Sequence, residues 1–281
     1  MTAMLNNPSG ASATLRKYPS MAKIITLTTD FGESDHYIAC MKGVMLQRAS
    51  EARIVDVTHA IGPHDVVHGA FILRQIFEHF PEGTIHVAVV DPGVGTARRL
   101  IAARFEGQTI LAPDNGLVSL IHRDFAIEEL RELRNTRLFR QEISATFHGR
   151  DVLAPVAGHL AAGLALENVG PVIQELEILN LDLPKLLPDG GVEGQVLYVD
   201  RFGNLITNIS AADIQPRPGG ERLHVYVGPL RIGPLRATYA DVNPGEIVAL
   251  VGSTGMLEIA INQGNAALQL RASPGTVVVV R

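Results

Sequence analysis

A change of rhythm near residue 185 constrains this chain more than any other feature. Before it, short β-branched or apolar runs alternate with stretches of helical periodicity. Ile24–Thr29 is followed by Ile38, Met41, Met45 and Leu46 at near-helical spacing across 35–48. Arg53–Thr58 is followed by Val67, Ala70, Phe71 and Phe77 on one side of 65–80, and then by the apolar run 84–90. Such alternation calls for right-handed crossovers and a mostly parallel sheet covered on both faces. Residues 100–105 and 108–112 add a hairpin about Gly107, and 152–166 is an Ala/Gly-rich helix candidate. The stretch from Leu181 to Gly194 contains LPKLLPDGG, whose prolines and glycines mark a linker. Beyond it, 195–199, 205–209, 223–227, 246–251 and 276–280 are short runs between Gly/Pro turns, the pattern of a small antiparallel barrel or sandwich. The expectation is a three-layer α/β domain with a mostly parallel sheet over 22–184 and an all-β, barrel-like domain over 190–281. Residues 1–21, rich in Asn, Pro, Ser, Gly and Ala, read as a disordered tail.

Composition removes several classes of function. No apolar run approaches the ~18 residues needed to cross a bilayer, so no membrane role is expected. With 24 basic against 29 acidic side chains, a formal charge of −5 and no Lys/Arg cluster, nucleic acid is not an expected partner. The single cysteine, Cys40, rules out an internal disulfide and a Cys-rich zinc site and fits a reducing, cytoplasmic location. It falls within the apolar pattern of its helix and reads as core.

Polar residues gather where a parallel sheet opens its site, outside the carboxyl ends of the strands. Asp30 follows the first run, Asp91 follows 84–90, and Pro113-Asp114-Asn115-Gly116 follows the hairpin, while Asp56 lies inside IVDVT with His59 after it. Each has a plain alternative as a helix cap or turn former. Asp30-Phe31-Gly32 matches the kinase metal-binding tripeptide, but no kinase Gly-rich or catalytic loop accompanies it. Gly93-Val94-Gly95 lacks the third glycine of a dinucleotide fingerprint, and His64 and His68 lack the glutamate of a zinc-protease helix. Two further concentrations are 144–151 (SATFHGRD) and 198–204 (YVDRFGN). The second is equally readable as a hairpin turn, as is Gly252-Ser253-Thr254-Gly255.

The set as a whole is more specific than its parts. TTDFG (28–32), IVDVTH (54–59), VDPGVGTARR (90–99), PDNGL (113–117), TFHGRD (146–151), DRFGN (200–204) and GSTGMLEIA (252–260) occur in order from Ile24 to the C-terminus. Together they resemble the S-adenosylmethionine hydroxide adenosyltransferase (SAM hydrolase) family, which is related to the fluorinases and chlorinases.

The resemblance implies attack of water or hydroxide on the 5′ carbon of S-adenosylmethionine, releasing methionine and forming adenosine, with no cofactor or metal. It assigns water handling to Asp91, Arg98 and His148. Asp91 and Arg98 stand seven apart across PGVGTA, close enough for the chain to turn back. His148 keeps the hydrolase form of TFHGRD, from which the halogenases depart. The resemblance further implies that Asp30 grips the ribose hydroxyls, Asp200 balances the methionine ammonium and Ser253 donates to its carboxylate. Asn204 and the backbone about Glu258–Ile261 match adenine and methionine contacts, and Tyr239 stacks on the purine. It also implies a homotrimer whose sites lie between subunits. Three alternatives stand beside it: halide-dependent adenosyl transfer, a metal-dependent phosphoester hydrolase using Asp30, Asp91, Asp114 and His148, and a module that binds the ligand without turning it over.

Overall fold

Strand β1 (Ile24–Thr29) is buried along nearly its whole length because it runs through the middle of a sheet. The structure is a computed structural model that describes residues 23–214 and 223–281; the expected tail over 1–21 lies outside the described residues. After β1 come α1 (Tyr37–Leu46), β2 (Arg53–Thr58), α2 (Val66–Phe77), β3 (Ile85–Val89), β4 (Leu100–Phe105), β5 (Gln108–Pro113), α3 (Ser119–Asp124), β6 (Glu129–Glu132) and α4 (Ala154–Ala161). The sheet order is β2-β1-β3-β5-β4-β6. The first four of these strands are mutually parallel, while β4 pairs antiparallel with both β5 and β6. One face packs Met41, Met45, Val156 and Leu160 of α1 and α4 against Leu27 and Val87. The other packs Leu73, Phe77 and Ile121 of α2 and α3 against Ala88 and Ile110. This is the expected three-layer arrangement. β6 was not anticipated: in Glu-Leu-Arg-Glu only Leu130 is buried, so the run carries no apolar signal.

The second half holds β7 (Lys185–Leu186), β8 (Val192–Val199), β9 (Leu205–Ser210), β10 (His224–Val227), β11 (Leu230–Arg236), β12 (Ile247–Val251), β13 (Met256–Ile261), α5 (Ala266–Leu270) and β14 (Val277–Val280). The order β14-β10-β11-β12-β13-β9-β8 returns to β14, closing a seven-strand barrel, with β7 added on β8. Closure removes the exposed edges that short strands otherwise present. The barrel pairings are antiparallel except β11 with β12, which is parallel. Strand β8 begins inside the stretch read as linker, because Val192 already pairs with Val280. Between the halves, Ala70, Phe71 and Leu120 pack on Tyr198 and Ile206. His68, weighed as a metal partner of His64, instead stacks on Tyr198 at 4.4 Å and 14°.

Candidate active site

β1 and β3 are parallel neighbours, so Asp30 and Asp91 emerge at the same sheet edge. Beyond Asp91 the chain folds back through two successive turns, with Val94 N–H donating to Asp91 O (3.2 Å) and Thr96 N–H to Gly93 O (3.1 Å). That reversal returns Arg98 to Asp91. Its Nε donates to Oδ1 at 2.6 Å and to Oδ2 at 2.8 Å, and Nη2 closes on Oδ2. The pair is well shielded, with side chains 7% and 9% exposed. Gly95 is required here: its φ is +82°, and a Cβ would stand 2.6 Å from Ala145 O. This close approach docks the loop against the segment that leads into His148.

His148 Nδ1 lies 3.2 Å from both Nη1 and Nη2 of Arg98. A guanidinium only donates, so Nδ1 is the acceptor and the proton of the neutral ring sits on Nε2. Burial first, then the Arg98 charge, lowers the His148 pKa below its ordinary value, against the opposing pull of Asp91 and Asp151. Both effects favour the neutral ring. It stands at the head of a π-helical turn, Gly149–Leu153, that runs into α4; such turns recur at functional sites. Fully buried Asp151 fixes that turn, accepting from Ser144 N–H (2.8 Å) and from Arg150 Nε (2.7 Å) and Nη2 (2.9 Å). This anchoring role of Arg150 and Asp151 was not anticipated. Its only sequence signal is a pair of charges within TFHGRD, just ahead of an apolar helix.

Asp30, Asp91 and His148 line one cavity of about 250 Å³, together with Phe31, His64 and Phe147. The aromatic wall is ordered by edge-to-face packing, Phe31 on Phe147 at 5.8 Å and Tyr37 on Phe147 at 5.3 Å. Asp30 Oδ2 accepts the His64 N–H at 2.9 Å.

The residues expected from the second half form their own group. Asp200 Oδ1 accepts the N–H groups of Phe202 (2.8 Å) and Asn204 (2.9 Å), and Oδ2 accepts Asn204 Nδ2 (3.0 Å). Tyr239 donates its hydroxyl to Glu258 Oε1 at 2.5 Å. Burial, reinforced by Glu258, pushes the Tyr239 phenol up to about 12. Burial also raises Glu258; the Tyr239 hydrogen bond opposes that rise, and the Asp200 charge adds to it. Ser253, on the 252–255 turn, lines a separate cavity of about 600 Å³ between the two halves, next to Phe71 and Met256. The Ile261 side chain packs in the barrel core. None of these six residues belongs to the wall of the Asp30 cavity.

Asp114 is engaged elsewhere, accepting from Arg99 Nε (2.8 Å) and from Glu177 N–H (2.9 Å). The Asp30, Asp91, Asp114 and His148 ligand set is thus not assembled. Among the described residues, no group of three or more His, Cys, Asp or Glu is placed to hold a metal ion. Among the same residues, no helix is long and apolar enough to cross a membrane.

A family model described as the SAM hydroxide adenosyltransferase N-terminal domain matches residues 25–170, and its C-terminal counterpart matches 194–279. A protein of Thermus thermophilus named (R)-S-adenosyl-L-methionine hydrolase is 42% identical, over 89% of this chain and 96% of its own length. One of the same name from Salinispora tropica is 40% identical, over 89% and 95%. A fluorinase of Actinoplanes sp. is 32% identical over 92% and 97%. A solved structure of an uncharacterised conserved protein from Thermotoga maritima superposes with a TM-score of 0.84 at 34% identity, covering 91% of this chain and 99% of that one. Both halves, the strand-end carboxylates and the TFHGRD turn lie within the matched segments, and the chain belongs to the SAM hydroxide adenosyltransferase family.

Proposed function

We propose that this chain hydrolyses S-adenosyl-L-methionine to adenosine and L-methionine by attack of a water-derived oxygen on the ribose 5′ carbon. The observation that carries the reading is the contact of Arg98 with both Asp91 and His148, two residues that line a cavity which also presents Asp30. The hydrolase names of relatives at 40% and 42% identity support it.

The chemistry asks little of a general acid, because the sulfonium leaves as a neutral thioether. The hard part is holding one oxygen in line with the C–S bond, and positioning of that kind is worth ~7–11 kcal/mol in favourable cases. His148 is a donor here, since Arg98 occupies Nδ1 and the Nε2 proton faces away from it; that N–H holds the nucleophile's oxygen. Arg98 keeps the ring in this tautomer, and its charge favours a hydroxide-like oxygen. Asp91 is the acceptor for the water's proton, which passes on to solvent. Its Oδ1 takes one donation from Arg98 whereas Oδ2 takes two, leaving Oδ1 the freer lone pairs. Asp30, held by the His64 N–H, offers its other oxygen to the vicinal ribose hydroxyls.

Asp200, Asn204, Tyr239, Ser253, Glu258 and the backbone at Ile261 hold the methionine and adenine ends in this reading. They line no part of the Asp30 cavity within one chain, which supports a site completed by a neighbouring copy; the assembly in this reading is a homotrimer. The reading includes no metal or cofactor and a cytoplasmic location, in keeping with the lone Cys40.

Incubation with S-adenosylmethionine in ¹⁸O-water tests the bond cleaved. The expected product is adenosine labelled at the 5′ oxygen, with methionine unlabelled. Adenosine without label, or 5′-halo-adenosine formed once chloride or fluoride is added, overturns hydrolysis at C5′.

A further inference from the structure

The motif IVDVTH (54–59) supplies none of the groups used above, yet it closes around the Asp30 turn. Gly32 N–H donates to His59 O at 2.8 Å. Phe31 N–H donates to Thr29 Oγ1 at 3.3 Å, leaving the hydroxyl proton for His59 Nδ1, 2.9 Å away. On the far side of the ring, Nε2 lies 3.1 Å from Asp56 Oδ1, a close contact off the line of an ideal hydrogen bond. Asp56 Oδ2 is met by Lys42 Nζ at 2.5 Å. Five residues beyond His59, the His64 N–H reaches the Asp30 carboxylate itself, from a backbone at φ +66°. His59 and His64 thus hold the turn from behind and from the front.

The register of β2 makes this contact possible. Leu27 pairs with Asp56, but Thr28 pairs with Thr58, so Val57 is an extra residue opposite β1. Continuing that register by one step places His59 beside Thr29, where an unbroken strand would have placed Thr58. Bulges of this kind re-aim side chains next to active sites. The order Thr29–His59–Asp56 has the connectivity of a hydrolytic triad. Thr29 is fully buried and His59 only 4% exposed, so no substrate reaches the hydroxyl.

We propose that His59 and Asp56 are positioning residues: they set the Asp30 turn, and through it the grip on the ribose diol, without touching substrate. The proposal rests on the ribose role given to Asp30 above. The test compares wild type, His59→Ala, His59→Asn and Asp56→Asn. Asparagine at 59 keeps an acceptor near the Nδ1 position; Asp56→Asn changes a half-exposed side chain and should fold if His59→Ala does not. Two quantities are read: amide hydrogen exchange of peptides covering 28–34, and the affinity for adenosine relative to 2′,3′-dideoxyadenosine. Expected are faster exchange and an about tenfold smaller preference for the diol in His59→Ala, the loss of roughly one charge-assisted hydrogen bond. A smaller change of the same kind is expected in Asp56→Asn, with His59→Asn near wild type. Unchanged exchange, or unchanged preference in variants of a discriminating wild type, overturns the proposal alone. A wild type indifferent to the diol overturns the ribose reading and this proposal with it.

Discussion

Replacing both members of the Asp91–Arg98 pair should harm stability less than replacing either one. The side chains are 7% and 9% exposed and joined by three N–H donations, so each is the other's compensation for lost water. Asp91→Asn leaves the guanidinium shielded without a counter-charge, and Arg98→Met does the same to the carboxylate; each should cost about 3–5 kcal/mol. Were the two effects independent, the double variant would lose about 6–10 kcal/mol, comparable with the whole stability of a typical domain. If the groups are a pair, the double variant holds no orphaned charge and should fall within about 1–2 kcal/mol of wild type. Urea midpoints by far-ultraviolet circular dichroism measure this, since the chain has no tryptophan. Turnover should behave oppositely. Each single change should cost ~10²–10⁴-fold, and the double no more than the worse single, because the residues act as one unit. Additive stability losses, or multiplied losses of turnover, would refute the pairing on which the mechanism depends.

Three further outcomes follow from the same geometry. Arg98→Gln removes the second-largest cause holding His148 down while Asp91 and Asp151 still pull upward, so an NMR titration should place the His148 midpoint at higher pH than in wild type; a lower midpoint contradicts the contact. His86 is fully buried between Thr26 Oγ1 (2.8 Å) and Gln108 Oε1 (2.9 Å), and burial, opposed by the Gln108 bond, pushes its pKa to about 4. Below pH ~6.5 the unfolded chain takes up a proton that the folded ring refuses, so stability is complete above that pH and should fall by about 3 kcal/mol as the pH drops to about 4. Urea midpoints across that range should decline less steeply in His86→Asn; parallel declines count against the assignment. Mixing inactive Asp30→Ala and Asp200→Ala chains, with subunit exchange, should restore about one quarter of wild-type turnover if each site joins two copies, the chance of drawing both intact halves. No recovery points to a site built within one chain.

What the sequence disclosed tracks how completely each segment is buried. β1, β3 and β5 are covered on both faces and so read as unbroken apolar runs, whereas β6 shows one buried leucine and β11 is interrupted by Gly233 and Pro234. The alternation of elements and the β4–β5 hairpin were therefore legible, and the outermost strand β6 was not. At the site, the family resemblance named Asp91, Arg98 and His148 as one group, whose contacts the structure shows, but it gave no role to the adjacent Arg99. Neighbouring side chains on extended backbone point to opposite sides. Arg98 accordingly turns to Asp91 and His148, while Arg99 turns to Asp114 and, through Nη2, to Glu175 O at 3.1 Å. Asp114 in turn accepts the Glu177 N–H, so this second contact fastens the 175–177 segment across the end of β5. One dipeptide thus serves two ends: Arg98 braces Asp91 and His148, which line the cavity, and Arg99 pins the chain on its way to the barrel. The second role gives PDNGL a structural place beside the site although Asp114 does not line the Asp30 cavity.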